Sequence, residues 1–525
     1  MQQRWRSLFL QLAVANASFQ QTCMSFDPIA YLTNATIRVH EYVPANTTIQ
    51  LPGMDPTCGR TKQLIPIDAC RVALTIATSN RSSFIFEMFF PSEGTGRLLA
   101  TGNGGIDGCI KYEDMVYALD HGFAVTGTNN GHNGTGGEAF LNNPDVIEDF
   151  SFRALHTGTG VGKKLLKAFY GTSQYKSYYL GCSGGGRQGV QAASLFPDDY
   201  DGILVGAPAL NFNYMSAWRA SFYTITKAAN SSGFIAAGTW QGLIHQEVLR
   251  QCDDLDGAND GILADPSLCA AVFRPETLLC GRENTTGCLT AQQVEVVRKV
   301  FSPLYGVDGK LIYSSLSPGA EVQATQRLLS GTPFSYSVDW YRYAVYSNPA
   351  WNPASWTIQD AAAAEEANPG NARTWPSDLS PFRDAGGKLI LYHGGADQQI
   401  TPFDTERWYN YMSAQMGATS KDLDTFMRFF RIPGMGHCSG GVGAWQVGQN
   451  RAGAQGTPYE PKTNALAALV NWVETDTAPD TLLGTKFVND TITNGVALSR
   501  RHCRYPLLST YVGGETASAA SWSCK

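Results

Sequence analysis

The chain has 525 residues, 43% of them hydrophobic and only 16% charged, with a formal net charge of −6. That is ample apolar material for a large ordered core, arranged as one big domain with an insertion or as several domains. The acidic balance and the lack of any basic run argue against a nucleic-acid partner, and no run of about 20 apolar residues exists to cross a membrane.

The N-terminus reads as a secretory leader. Arg4 and Arg6 precede an apolar stretch at 8–15, and Ala15-Asn16-Ala17 is a small-x-small cleavage site before Ser18. Residues 1–17 are therefore expected to be a signal peptide, and the protein to be extracellular. Twelve cysteines, an even number, fit a disulfide framework in an oxidising compartment. Glycosylation acceptors at Asn34, Asn46, Asn80, Asn133, Asn230, Asn284 and Asn489 agree with that location.

Residues 72–78 and 84–90 are β-rich. A strand at 98–101 leads into the loop Gly102-Asn103-Gly104-Gly105, and one at 123–126 leads into Asn129-Asn130-Gly131-His132. A helix is expected over 152–170, a strand over 176–180, a helix over 190–196 and a short buried strand at 203–205. From 209 to 384 the alternation lapses into a stretch rich in aromatics, Pro, Gly and Asn. It resumes with a strand at 388–392, a helix at 404–416, a strand at 425–431 and a helix at 464–474. The expected fold is α/β, a mostly parallel sheet with helices on both faces, the α/β-hydrolase fold. Its catalytic domain spans 18–208 and 385–525, and 209–384 forms a large inserted lid.

In such a sheet, reactive groups collect at the carboxyl ends of the strands. Gly181-Cys182-Ser183-Gly184-Gly185 stands between a strand and a helix, the context of a serine nucleophile elbow. Asp397 follows the strand at 388–392, and His437 follows the strand at 425–431. The order Ser, Asp, His is the hydrolase order. A serine hydroxyl needs a base to take its proton, and a buried carboxylate orients that imidazole. His393 is the rival base, but it precedes the acid and is read as a structural or pocket residue. Asp397 has a duller alternative as a cap of the helix near Thr401. The oxyanion hole needs backbone N–H donors; one is expected from Gly184 and the second from Gly104 or Gly105.

Cys182 precedes Ser183 and Cys438 follows His437, so a serine touching its base brings the two cysteines within bonding range. A further cluster, Asp253, Asp254, Asp256 and Asp260, repels itself unless solvated or bridged by a hard cation such as Ca²⁺. Cys252 and Cys269 could close that loop. The segment lacks the Glu of an EF-hand.

Together these residues resemble the fungal tannase and feruloyl esterase family over nearly the whole mature chain. The likeness is carried by Gly181-Cys182-Ser183, Gly185-Gly186-Arg187-Gln188-Gly189, Gly206-Ala207-Pro208, His393-Gly394-Gly395-Ala396-Asp397 and Gly434-Met435-Gly436-His437-Cys438. Chain length and lid style are nearer to feruloyl esterase B than to tannase. The resemblance implies a triad of Ser183, Asp397 and His437 beside a Cys182–Cys438 bridge. It implies a structural Ca²⁺ in the lid, held by Asp253, Asp256, Asp260 and the carbonyls of Ala258 and Ile262. It also implies the bridges Cys23–Cys70, Cys58–Cys109, Cys252–Cys269, Cys280–Cys288 and Cys503–Cys524. One departure is Gly184, where relatives usually have Thr or Ser; the amide survives, and the loop is expected to be more mobile. The implied activity is release of ferulic and related hydroxycinnamic acids from plant cell-wall polysaccharide esters or small phenolic esters through an acyl-enzyme, with the lid aromatics suited to stacking on a phenolic ring. Two alternatives stand beside it: a tannase cleaving gallate esters, and a non-catalytic secreted glycoprotein that binds carbohydrate or aromatics.

Overall fold

The computed structural model describes residues 18–281 and 286–525. The expected signal peptide and the Asn284 acceptor lie outside them. Nine strands form one sheet: β1 (Ala35–Val43), β2 (Ala69–Ala77), β3 (Ser83–Pro91), β4 (Arg97–Thr101), β5 (Ala124–Thr128), β6 (Lys176–Cys182), β7 (Gly202–Gly206), β8 (Lys388–Gly394) and β9 (Met427–Ile432). Their order across the sheet is β1-β2-β3-β5-β4-β6-β7-β8-β9. β1, β2, β3 and β5 pair antiparallel in turn. From β5 to β9 every pairing is parallel.

The parallel strands read as unbroken apolar runs because both their faces are covered. Tyr178, Leu180, Leu204, Ile390 and Tyr392 point to one side. They pack there with α1 (Tyr112–Leu119) and, from the chain's far end, the helix Ala465–Thr475. The alternate residues Tyr179, Ile203, Val205, Leu389 and Leu391 point to the other side. They meet α2 (Gly184–Leu195) and α3 (Pro402–Met416) there. The period-two alternation therefore sets two helical layers, and neither face of these parallel strands is left for solvent. The helix expected over 152–170 forms at Ala154–Tyr170, after a wider turn at Asp149–Arg153.

The chain leaves the sheet after β7 and returns at the adjacent strand β8. The intervening segment has its own apolar cluster, including Trp218, Trp240, Trp340 and Tyr341, which also takes in Ile106, Phe140, Phe150 and Ile400 from the sheet side. The aromatic crowd of 340–356 is largely this cluster. Trp340 and Tyr341 are fully buried, and Tyr341 stacks on Trp351 with ring centres 4.9 Å apart. Rings that look like a ligand platform in the sequence are thus mostly spent on holding the inserted segment together. Six disulfides join Cys23–Cys70, Cys58–Cys109, Cys182–Cys438, Cys252–Cys269, Cys280–Cys288 and Cys503–Cys524, and no cysteine is free. The asparagines of the six described glycosylation acceptors are all exposed. Among the described residues no helix is long and apolar enough to cross a membrane.

Candidate active site

Ser183 lies between β6 and α2 with φ 63° and ψ −121°. A residue with a side chain holds such angles only when its surroundings impose them. Here the Ser183 N–H donates to the Gly206 carbonyl at 2.9 Å, and the Ala209 N–H donates to the Ser183 carbonyl at 3.0 Å. Both contacts come from the end of β7 or just beyond it. The four glycines of α2 are poor helix formers, so packing against the sheet rather than propensity keeps this helix.

β8 ends at Gly394 and β9 at Ile432, and their following loops meet backbone to backbone. A Cβ on Gly394 would sit 2.4 Å from the Met435 carbonyl oxygen and 2.5 Å from that of Gly436. Only glycine permits that approach, and it brings Asp397 beside His437. His437 Nδ1 lies 2.8 Å from Asp397 Oδ2, and His437 Nε2 lies 2.9 Å from Ser183 Oγ. Alongside, Cys182 and Cys438 are bonded across 256 residues of sequence.

Asp397 is fully buried. Burial by itself would push its pKa up. The charge of His437 and the hydrogen bonds of His393 and His437 outweigh burial and hold the carboxyl well below its ordinary range. Its other oxygen, Oδ1, accepts the Gln399 and Ile400 N–H groups at 2.8 and 2.9 Å.

Gly184 opens α2, and its amide is next to the nucleophile. A Cβ there would come within 2.7 Å of the Gly105 carbonyl oxygen. The missing Cβ of Gly184 therefore lets the 102–105 loop close onto the elbow. The loop is tied by side chains: Asn103 N–H donates to Gln188 Oε1 at 3.0 Å, and Asn103 Nδ2 donates to the Cys109 and Thr128 carbonyls. Neither the Gly104 nor the Gly105 N–H has an acceptor among the described residues. Both glycines line the same cleft as Ser183 and His437, a space of about 390 Å³. A larger groove of about 570 Å³ lies over the antiparallel strands and touches no triad residue.

The cleft contains residues that no motif announces. Tyr336 lies against Gly105, Arg327 stacks over Tyr336 at 5.8 Å, and Lys111, Arg451 and Asn450 complete a polar wall. Their signal is purely spatial, since they come from three separate segments. Tyr336, from the inserted segment, is the one Phe, Tyr or Trp among the described residues that line the cleft.

The Tannase and feruloyl esterase family model matches residues 70–332 and 370–525. The chain belongs to this family. It is 53% identical over 500 residues to a probable feruloyl esterase B-2 of Aspergillus flavus, covering 95% of each chain. It is 46% identical to a probable feruloyl esterase B-2 of Aspergillus terreus, over 97% of this chain and 95% of that one. The crystal structure of feruloyl esterase B from Aspergillus oryzae superposes with a TM-score of 0.93 at 44% identity, over 97% of this chain and all of that one. A tannin acyl hydrolase from Aspergillus niger shares the fold, with a TM-score of 0.76 at 20% identity over 96% and 94%. The architecture is thus the α/β-hydrolase type expected from the sequence, and the protein is a carboxylic-ester hydrolase by family.

The acidic loop curls on itself. Asp253 accepts the Gly261 N–H with both oxygens at 3.0 Å, Asp256 accepts those of Ala258 and Ala264, and Asp260 accepts that of Ile262. Arg500, which lies 3.6 Å over the Trp522 ring, reaches Asp260. Burial pushes Asp253 and Asp256 above the ordinary carboxylate range, and the charge of Asp260 adds to it. Among the described residues no three carboxylate side chains bring one oxygen each within 4.8 Å of one another. The donors are hard oxygens on a loop with more negative charge than its one arginine balances, and that donor set fits Ca²⁺.

Proposed function

We propose that the protein is a secreted feruloyl esterase that releases ferulic and related hydroxycinnamic acids from cell-wall polysaccharide esters or small phenolic esters. The carrying observation is the line of two hydrogen bonds from Ser183 Oγ through His437 to Asp397. In this reading Ser183 Oγ attacks the ester carbonyl while His437 Nε2 takes its proton. The amides of Gly184 and of Gly104 or Gly105 hold the oxyanion. His437 then returns the proton to the leaving alcohol, and the acyl group stays on Ser183. A water molecule repeats the sequence in reverse roles and frees the acid. Asp397, ionised throughout, fixes the imidazole tautomer and stabilises the imidazolium.

Secretion is supported by six disulfides and exposed glycosylation acceptors. The inserted residues 209–384 act as a lid in this reading. A Ca²⁺ held by Asp253, Asp256, Asp260 and the Ala258 and Ile262 carbonyls would neutralise their loop. It would hold the lid loop together and take no part in the chemistry. Side-by-side turnover of methyl ferulate, methyl caffeate and methyl gallate tests the substrate class: preference for gallate makes it a tannase. Failure to label Ser183 with an organophosphonate makes it a non-catalytic binder.

A further inference from the structure

His393 has no place in the three-residue mechanism, yet it is fully buried beside the catalytic acid. Its Nε2 lies 3.2 Å from Asp397 Oδ2 and 3.0 Å from the Ile400 carbonyl oxygen. Its Nδ1 lies 2.8 Å from Thr405 Oγ1. A carbonyl oxygen only accepts, so Nε2 must carry hydrogen, and it shares that hydrogen between Ile400 and Asp397. In the neutral ring Nδ1 then accepts from the Thr405 hydroxyl. Asp397 Oδ2 thus receives two imidazoles, His437 from the nucleophile side and His393 from behind. With the two backbone N–H groups on Oδ1, the carboxylate has four nitrogen donors and no freedom to rotate.

We propose that His393 is a positioning residue, locked as its Nε2–H tautomer by Ile400 and Thr405, which aims Asp397 Oδ2 at His437. This rests on the triad reading given above. It extends the line Ser183–His437–Asp397 to His393 and Thr405. The ring also closes the short loop from β8 to α3, since Asp397, Ile400 and Thr405 are its three partners and all lie within twelve residues of it. The other charges that reach His393 come from α3: Asp404, paired with Arg407 at 3.1 Å, and Glu406, 3.4 Å from Arg431. Neither hydrogen-bonds to the ring, so Asp397 is the carboxylate that feels its donor directly.

Two consequences separate positioning from mere packing. Without His393, Asp397 is less well aimed, so kcat falls while KM, set in the cleft, stays within about twofold. The carboxylate also loses a donor, which leaves more of its charge to stabilise the His437 imidazolium. The acid limb of kcat/KM then moves to higher pH.

The test compares His393→Leu with His393→Gln on methyl ferulate across the acid limb. His393→Leu is expected to lose about tenfold or more in kcat and to shift the limb upward. His393→Gln, which keeps an N–H donor, is expected to recover part of both. An unmoved limb in His393→Leu overturns the proposal, whatever happens to stability. If that variant does not fold, ¹⁵N-imidazole NMR of the unaltered protein decides. An Nε2–H tautomer at His393 with an Nδ1–H tautomer at His437 is expected, and an Nδ1–H tautomer at His393 overturns the proposal. An unaltered protein that hydrolyses no ester would instead sink the functional reading, and the tautomer measurement would still stand.

Discussion

The strand ends around Ser183 and the segment inserted between β7 and β8 use the same kinds of residue to different ends. At the strand ends, buried polar groups are partnered across separate elements: Asp397 with His437 and His393, the Asn103 N–H with the Gln188 side chain. In the inserted segment, aromatic residues that could face a ligand are buried against one another, and Trp340 packs edge-on against Phe212 and Phe140. Burial of polar atoms in fixed partnerships makes a site; burial of rings makes a scaffold. Residue type does not separate the two cases, and the identity of the neighbours does.

Removing the nucleophile is the hardest test of that contrast. Ser183→Ala should cut kcat on methyl ferulate by roughly 10⁴-fold or more with the melting temperature nearly unchanged. The inserted segment should answer in the opposite way. Trp340→Ala should destabilise the fold by about 3–5 kcal/mol in urea titration, while kcat/KM of the folded fraction holds. Tyr336→Ala should raise KM a few-fold and cost less stability than Trp340→Ala, because it is half-buried, lining the cleft at the edge of the core cluster. An outcome with those two reversed would erase the distinction.

The disulfide beside the triad belongs to both descriptions. Replacing Cys182 and Cys438 together by Ala should cost about 2–4 kcal/mol, the usual worth of such a cross-link, and should lower kcat as the base drifts from the nucleophile. Unchanged kinetics would make the bridge purely structural. The Ca²⁺ proposed for the acidic loop is tested by chelation: if the loop holds it, a chelator should lower the melting temperature, and Ca²⁺ re-added at one hundred times Kd should restore about 2.7 kcal/mol of stability. Hydrolysis of the protein that remains folded should be unaffected.

The smallest effect is in pH. The folded pKa of Asp397 is depressed, so its share of stability is fully present above the ordinary carboxylate pKa of about 3.9 and is lost as pH falls through the lower folded value. The stability difference between the parent and Asp397→Asn should therefore be flat above about pH 5 and shrink below about pH 4.

Much of the site was legible because its chemistry is written in short contiguous motifs. The Gly-x-Ser-x-Gly turn, the aspartate after one strand and the histidine after the next needed only strand-end reasoning. The lone fact that a cysteine flanks each of Ser183 and His437 linked two distant segments. His393 was visible as a histidine at a strand end, but its role was not, since nothing in the chain shows which atoms face it. The antiparallel edge strand β1 also escaped: its residues are mostly exposed or half-buried and give no clean alternation. Gly184 was read as a source of mobility, whereas the fold uses its missing Cβ for a close approach to Gly105.

The sequence by itself determined the fold class and marked out Ser183, Asp397, His437 and the two cysteines beside them as residues that should meet, because period, turn chemistry and residue order are local or ordinal properties of a chain. Only the tertiary structure decided which rings line the cleft, how the 102–105 loop meets the elbow, and that Asp397 is gripped by two imidazoles. Those outcomes depend on which segments come to share a few ångströms of space, and packing sets that through contacts between residues far apart in the chain.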